Sequence, residues 1–315
     1  MNTNDYYTMN KDKLAHCFRS ILSYISPQLN TEITYFVKFK RWINLKRPMT
    51  FNEKLLWLKL YSYSKNPMVK ECADKYRVRD YINDLGLGEL LPNLIAVYDS
   101  PSSIEWERLP KAFAMKMNVG CKSNLIVRDK DSVDIELASS TIKKWFTKNY
   151  WAGYSELQYK DVERHILVEE YIGDPESPLP PMDYKFYCMN GECRFILVCA
   201  DRGVETGRAH HAVKYYFFNK QWELLPYTPE ALQFTDIHIE KPALLGEAIK
   251  QAETLAGAFP FVRVDFYLEG EKVYFGELTF TPAGAMDTEL CMIPPGQSKT
   301  VDEIFGECLS IDSIR

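Results

Sequence analysis

The pattern of hydrophobic and polar positions divides the chain at about residue 112. Before that point residues 11–60 read as helical. Thr50-Phe51-Asn52-Glu53 has the spacing of a capping box, Pro48 stands just ahead of it, and Lys54-Leu55-Leu56-Trp57-Leu58-Lys59-Leu60 continues as helix. A second helix is expected over 66–84, ending near Gly86 and Gly88. After residue 112 short apolar runs predict strands at 112–117, 124–128 and 166–172. A helix falls between them at 139–148, where Ile142, Trp145 and Phe146 have helical spacing. The Pro-rich stretch 175–181 reads as a connector between two lobes. Asn190-Gly191 between the apolar runs 183–189 and 193–200 is a strong hairpin signal. Leu245, Ile249, Ala252 and Ala256 form one stripe of a helix over 244–258. Strands at 261–268 and 273–280 and a short helix at 301–309 complete the pattern. The expected organisation is a helical N-terminal region (1–111), a small lobe (112–175) and a C-terminal lobe (176–315), in the α/β (α+β) class.

Alternation along the last two strands sorts their side chains, because successive strand residues point to opposite faces. Val262, Val264, Phe266 and Leu268 share a face with Tyr274, Gly276, Leu278 and Phe280; Arg263, Asp265 and Tyr267 share the other with Phe275, Glu277 and Thr279. With Gly270-Glu271-Lys272 as a three-residue loop, Asp265 stands opposite Glu277, whereas a one-residue slip would carry Glu277 to the apolar face. Two opposed carboxylates repel unless a cation joins them. Magnesium suits the pair, since it takes hard oxygen ligands and shares them with phosphates. The plainer alternative is a solvated face on which Arg263 pairs with Asp265 or Glu277.

Composition narrows this picture without replacing it. At 315 residues the chain can hold one large or two modest domains, and 46% apolar with 26% charged content is ordinary for a globular protein. A net charge of −5 argues against a general nucleic-acid binder, while a local Lys/Arg cluster could still hold an anion. Eight cysteines without a CxxC pair, and five scattered histidines, argue against zinc. There is no basic segment followed by an apolar one at the start, and no run of 18 apolar residues. A cytoplasmic protein with reduced cysteines, no signal peptide and no membrane span is therefore expected. The basic and aromatic cluster Lys38, Phe39, Lys40, Arg41, Trp42, Lys46 and Arg47 reads first as a packed helix with snorkelling cations. Its alternative partners are an anionic glycan, a nucleotide sugar or, loosely, a membrane surface.

Arg263-Val264-Asp265-Phe266, followed by Phe275-Gly276-Glu277-Leu278-Thr279-Phe280-Thr281-Pro282, resembles the ATP-grasp superfamily, whose members show an Arg-x-Asp strand and then a Glu-x-Asn strand ending in Pro. From about residue 12 to 305 the chain resembles the TupA-like branch, found with polysaccharide-biosynthesis genes. Four motifs stand in the expected order. The resemblance implies a fold of two lobes whose antiparallel sheets clasp ATP. It implies that Lys116 contacts the ATP phosphates and that the loop Gly120-Cys121-Lys122-Ser123-Asn124 folds over them, with Lys122 supplying charge where the family has more glycine. In Val168-Glu169-Glu170-Tyr171-Ile172 one of Glu169 and Glu170 would meet the adenine amino group, beside Tyr171 and Ile172, and Asp174 would reach the ribose. Lys185 in Asp183-Tyr184-Lys185-Phe186 matches a basic residue near the phosphates. Asp265 and Glu277 would hold magnesium with Thr279, which stands where many members have Asn, and Arg263 would stabilise the transferred phosphoryl group or the acyl phosphate.

A second polar set follows the Asn-Gly hairpin. Arg202, Arg208, His210 and His211 could hold a substrate carboxylate, and Lys214 a phosphate; a plain surface loop is the alternative. The activity implied is an ATP- and magnesium-dependent carboxylate–amine ligase acting through an acyl phosphate. It would join an amino acid or small amine to a sugar acid of a nucleotide sugar or glycan. The competing readings are a glycosyltransferase of polysaccharide biosynthesis, disfavoured by the order of the four motifs, and a non-catalytic ATP-binding protein, disfavoured by Arg263, Asp265 and Glu277 occurring together. The sequence leaves the oligomeric state open.

Overall fold

The computed structural model describes residues 3–177, 180–200, 214–233 and 238–314, with side chains from residue 14 onward. Helix α1 (Thr3–Ile25) turns at Ser26 into α2 (Pro27–Phe39), where the Ser26 hydroxyl accepts from the Leu29 amide. The expected helix does not run through to residue 60. Lys40 adopts a left-handed φ of 57° and ends α2, and helix resumes only at α3 (Phe51–Trp57), on the capping box that Thr50 and Glu53 form. One π-helical turn, Leu58–Ser62, follows.

The single helix expected over 66–84 is two helices, α4 (Pro67–Ala73) and α5 (Val78–Asp84). Asp74 breaks it. Its backbone is extended, and its carboxylate accepts from the Tyr76 amide at 2.8 Å and from Asn118 Nδ2 at 2.9 Å. A short polar side chain that bonds locally competes with helical hydrogen bonding in this way.

Two antiparallel sheets carry the rest. The smaller has the order β1-β4-β2-β3 and is built from β1 (Leu94–Tyr98), β2 (Phe113–Met117), β3 (Asn124–Val127) and β4 (Ile166–Glu170), with α6 (Ile135–Thr147) between β3 and β4 in the chain. No strand was expected at β1, which lies on the sheet edge beside β4 with Ile95 exposed and its other four residues half-buried. The larger comprises β5 (Asp183–Met189), β6 (Glu192–Ala200), β7 (Lys214–Phe218), β8 (Leu224–Leu225), β9 (Phe261–Glu269) and β10 (Lys272–Thr279), in the order β10-β9-β5-β6-β7-β8. Helices α7 (Pro229–Gln233), α8 (Leu245–Ala256) and α9 (Val301–Cys308) complete the chain.

The six-stranded sheet buries both faces. Helix α8 lies against β5, β6 and β9 through the buried Leu245, Ala248, Ala252 and Leu255. The opposite face is filled at one end by an aromatic cluster around Phe305 of α9. Its ring stacks on Phe195 at 4.0 Å and meets Phe51, Tyr187 and Phe217 edge-on or tilted at 5.3–5.8 Å. Phe51 belongs to α3, and Lys54 on that helix donates to the carbonyls of Gly306 and Leu309 at 2.7 and 2.6 Å, satisfying the open C-terminal end of α9. Helix α3 is thus built into the large lobe. The other end of that sheet face carries charge.

Candidate functional site

On β9 and β10 Asp265 does stand directly opposite Glu277, but by another route than the three-residue loop. The turn has two residues, Gly270 and Glu271, with Glu269 opposite Lys272. A bulge at Gly276 then cancels the slip and restores the Asp265–Glu277 pair. The expected faces of two residues exchange as a result: Tyr274 lies opposite Tyr267 on the charged face, and Phe275 opposite Phe266 in the core. Gly276 is required at the bulge, since a Cβ there would sit 2.9 Å from the Asp265 carbonyl oxygen.

The carboxylates are held by cations. Arg263 grips Asp265 with Nε and Nη2, each at 2.7 Å, and donates from Nη2 to the Thr279 hydroxyl at 3.1 Å. Thr279 in turn donates to Glu277 Oε1 at 3.1 Å. From β5, opposite Asp265 in register, Lys185 reaches Asp265 at 2.5 Å and Asp183 at 2.7 Å. Lys75, which the sequence gave no reason to select, reaches Glu277 at 3.0 Å and the Gly120 carbonyl at 2.8 Å. The break at Asp74 brings it there, with the Lys75 amide donating to the Asn118 carbonyl.

Across the cleft the small sheet offers a second cation set. Lys116 on β2 lies 2.5 Å from Glu169 on β4, and Arg79 of α5 is 3.4 Å from the same carboxylate. Glu169 is therefore occupied by cations. Glu170 points the other way, accepting from the amide and side chain of Asn93, and it lines a slot shared with Tyr171 and Ile172. Ala114, Ile126, Pro181 and Tyr267 supply the slot's apolar walls, and Lys116, Asn124 and Tyr267 join it to the charged cleft of about 320 Å³.

The loop over this cleft is anchored at both ends. The Met117 amide donates to the Ser123 carbonyl at 2.9 Å, and the buried Asn118 bonds to Asp74, Glu163 and His165. Gly120 has φ of 83° and lies under the Tyr150 ring, where a Cβ would come within 2.4 Å of ring carbon. Lys122 has φ of 56°, and it lines the cleft with Gly120 and Ser123.

Burial and charge compete throughout. Burial would raise the Glu277 carboxyl, but Lys75, Arg263 and Lys185 outweigh it and hold the group well below the usual carboxylate range. Burial pushes the Asp265 carboxyl up against the pull of Arg263 and Lys185. The same burial would strip the proton from Lys116 and Lys185, yet Glu169 and Asp265 keep both firmly ammonium.

Asp174 and Lys214 line neither the cleft nor the slot. Asp174 accepts from the Glu176 amide in its own turn. Lys214 opens β7 opposite Ala200, in alternation with Tyr216 and Phe218, whereas Asp183 and Lys185 alternate on the other face. Arg202, Arg208, His210 and His211 lie outside the described residues.

Among the described residues no three His, Cys, Asp or Glu cluster as a metal cage. The donor set still suits a cation that takes few protein ligands: the buried Asp265 and the half-buried Glu277 face each other on one sheet, with room in the cleft for phosphate oxygens and water.

Comparison with solved structures returns ligases and a synthetase at low identity. The D-alanine–D-alanine ligase of Bacillus anthracis complexed with ATP is 16% identical over 67% of this chain and 56% of its own, with a TM-score of 0.41. The Helicobacter pylori D-alanine–D-alanine ligase is 13% identical over 82% and 69%, with a TM-score of 0.41. An ADP complex of N5-carboxyaminoimidazole ribonucleotide synthetase is 11% identical over 72% and 50%, with a TM-score of 0.43. The chain thus spans little more than half the length of the first of these. No curated protein matches it. The family model described as TupA-like ATPgrasp matches residues 53–310, which takes in both sheets, the cleft and all four motifs. The chain belongs to the TupA-like ATP-grasp family.

Proposed function

We propose that this member of the family is an ATP- and magnesium-dependent carboxylate–amine ligase. The observation that carries the reading is the opposed pair Asp265–Glu277 facing Lys116 and the 118–123 loop across one cleft that opens into an apolar slot. The slot fits a flat base, edged by the backbone of Tyr171 and Ile172 and by Glu170, and the cleft fits a polyphosphate. On this reading residues 112–175 and 176–315 are the lobes that clasp ATP, and the segment before them completes both by supplying β1 and Lys75.

Asp265 and Glu277, with the Thr279 hydroxyl beside them, are the groups that would hold magnesium, which there neutralises phosphate charge. The chain's own work is positioning and charge compensation. Lys116, Lys122 and Lys185 present ammonium groups to phosphate oxygens, and the backbone of the Gly120 loop closes over them. Arg263, held by Asp265 and Thr279, faces the charge that develops on the transferred phosphoryl group. A substrate carboxylate oxygen bonds to the γ-phosphorus while the bond to the β–γ bridging oxygen breaks and ADP leaves. An amine nitrogen then bonds to the acyl carbon, the carbon–oxygen bond to phosphate breaks, and the nitrogen loses a proton.

The family's place among polysaccharide-biosynthesis genes points to a sugar acid, such as a uronate, as the carboxylate and to an amino acid or small amine as its partner. Arg202, Arg208, His210 and His211 are the side chains offered for the carboxylate. The test crosses uronates against amines and follows ADP release, with mass spectrometry for the amide. ADP that appears only when both substrates are present supports the ligase. Release of free UDP from a nucleotide sugar without ADP would establish the glycosyltransferase, and ATP binding with no turnover on any pair would leave a non-catalytic nucleotide-binding protein.

A further inference from the structure

The first two helices leave a large part of their apolar residues exposed. On α1, Leu14, Phe18, Ile21 and Ile25 follow at spacings of four, three and four, which at about 100° per residue aligns them within roughly 60° of arc. All four are exposed, Leu14 at 71% and Ile25 at 72%. The opposite, polar face turns inward. His16 approaches Gly153, Arg19 lies 5.2 Å over the Tyr154 ring, and Ser23 donates to the Ala152 carbonyl at 2.6 Å.

Helix α2 does so in part, although Tyr35 is fully buried. Its buried positions include Asn30, Thr31 and Thr34, with Asn30 Nδ2 donating to Ser23 at 2.9 Å and to Ser155 at 3.0 Å. Leu29, Phe36 and Val37 are exposed. A polar network, with the buried Tyr35 and the partly buried Phe39, therefore fastens these helices to the body, while Leu14, Phe18, Ile21, Ile25, Leu29, Phe36 and Val37 stay exposed among the described residues. Four apolar residues aligned on one helix face are more than the single exposed hydrophobics that any surface carries.

The segment that follows says what could cover it. Phe36 stacks on Trp42 at 4.6 Å, and Trp42 is 63% exposed. Exposed Lys40, Lys46 and Arg47 flank it in the chain, Arg41 is paired to the buried Glu53, and no acidic residue occurs between Glu32 and Glu53. This is a concentrated positive patch on a chain whose net charge is −5. Apolar stripe, exposed tryptophan and cations together match the interface of an anionic bilayer, where side chains enter the acyl boundary and ammonium and guanidinium groups meet phosphates. No described helix is long and apolar enough to cross a membrane, so the contact is with the surface.

We propose that α1, α2 and the 40–49 segment form a docking face for an anionic lipid surface. The test is co-sedimentation of the full chain with phosphatidylcholine vesicles, with and without phosphatidylglycerol, at low and high salt. The face predicts binding to the anionic vesicles only, released by salt. Lys40→Glu with Arg47→Glu lowers partitioning by at least about 30-fold, each lost cation being worth roughly fivefold. Phe18→Ser with Ile21→Ser abolishes it. Both pairs are exposed, and an unchanged thermal unfolding midpoint verifies that each variant is folded. Equal binding to neutral vesicles, or binding untouched by the charge reversals, overturns the proposal. So does a second copy as the occupant: a dimer by light scattering, broken by Phe18→Ser with Ile21→Ser, in a chain that stays off vesicles.

Discussion

The two walls of the cleft handle buried charge differently. On the small-sheet wall Lys116 and Arg79 share one carboxylate, Glu169. On the large-sheet wall Arg263, Lys185 and Lys75 stand among three, Asp183, Asp265 and Glu277. The first wall has a cation in excess and is prepared for an anion. The second is balanced, and its carboxylates can take a divalent cation only by loosening their hold on Lys75, Lys185 or Arg263. An anion such as a polyphosphate gives those cations somewhere to go. Burial makes each unpartnered charge costly, so metal and phosphate are expected to enter together.

That contrast is most exposed to changes on the balanced wall. Asp265→Asn or Glu277→Gln is expected to lower ADP formation by about 100-fold or more, comparable to losing a preorganised electrostatic contact. Wild-type turnover in either variant would remove the metal assignment. On the other wall, Lys116→Met leaves Glu169 with Arg79 alone and is expected to weaken ATP binding about 10-fold or more, the worth of a charge-assisted hydrogen bond. Titration of nucleotide into the variant checks this, and an unchanged affinity would move the phosphates away from the small sheet.

Gly276→Ala tests the bulge that aligns the carboxylates. Its Cβ meets the Asp265 carbonyl, so a stability loss of about 1–3 kcal/mol is expected in denaturant unfolding, with turnover falling as the register shifts. Acid is the mildest perturbation. Glu277 has a folded pKa below its ordinary 4.5, so the unfolded chain takes up the proton first. Its stabilisation is complete above about pH 4.5 and is lost as pH falls below that. The acid limb of the stability curve should flatten in Glu277→Gln.

Much of the balanced wall could be read from sequence, because strand alternation needs only local information. Arg263, Asp265 and Glu277 do share a face, and Asp265 does meet Glu277. The route was illegible. A shorter turn and a bulge compensate each other, and only the burial of Phe275 against Phe266 records the exchange. Alternation likewise required Glu169 and Glu170 to diverge, but only the packed sheet assigns Glu169 to Lys116 and Arg79. Lys75 and Arg79 left no signal at all. They stand in a stretch that reads as continuous helix, and the Asp74 break that aims Lys75 depends on Asn118, 44 residues away. Strand β1 was hidden for a related reason, as an edge strand with no fully buried residue.

The coupling of metal and nucleotide across the cleft is tested most directly by calorimetric titration of ATP, with and without magnesium, into the wild-type chain and Glu277→Gln. Magnesium should tighten ATP binding about 10-fold or more in the wild type, and the variant should lose that gain while keeping its magnesium-free affinity. An equal magnesium effect in both proteins would contradict a metal site on Asp265 and Glu277.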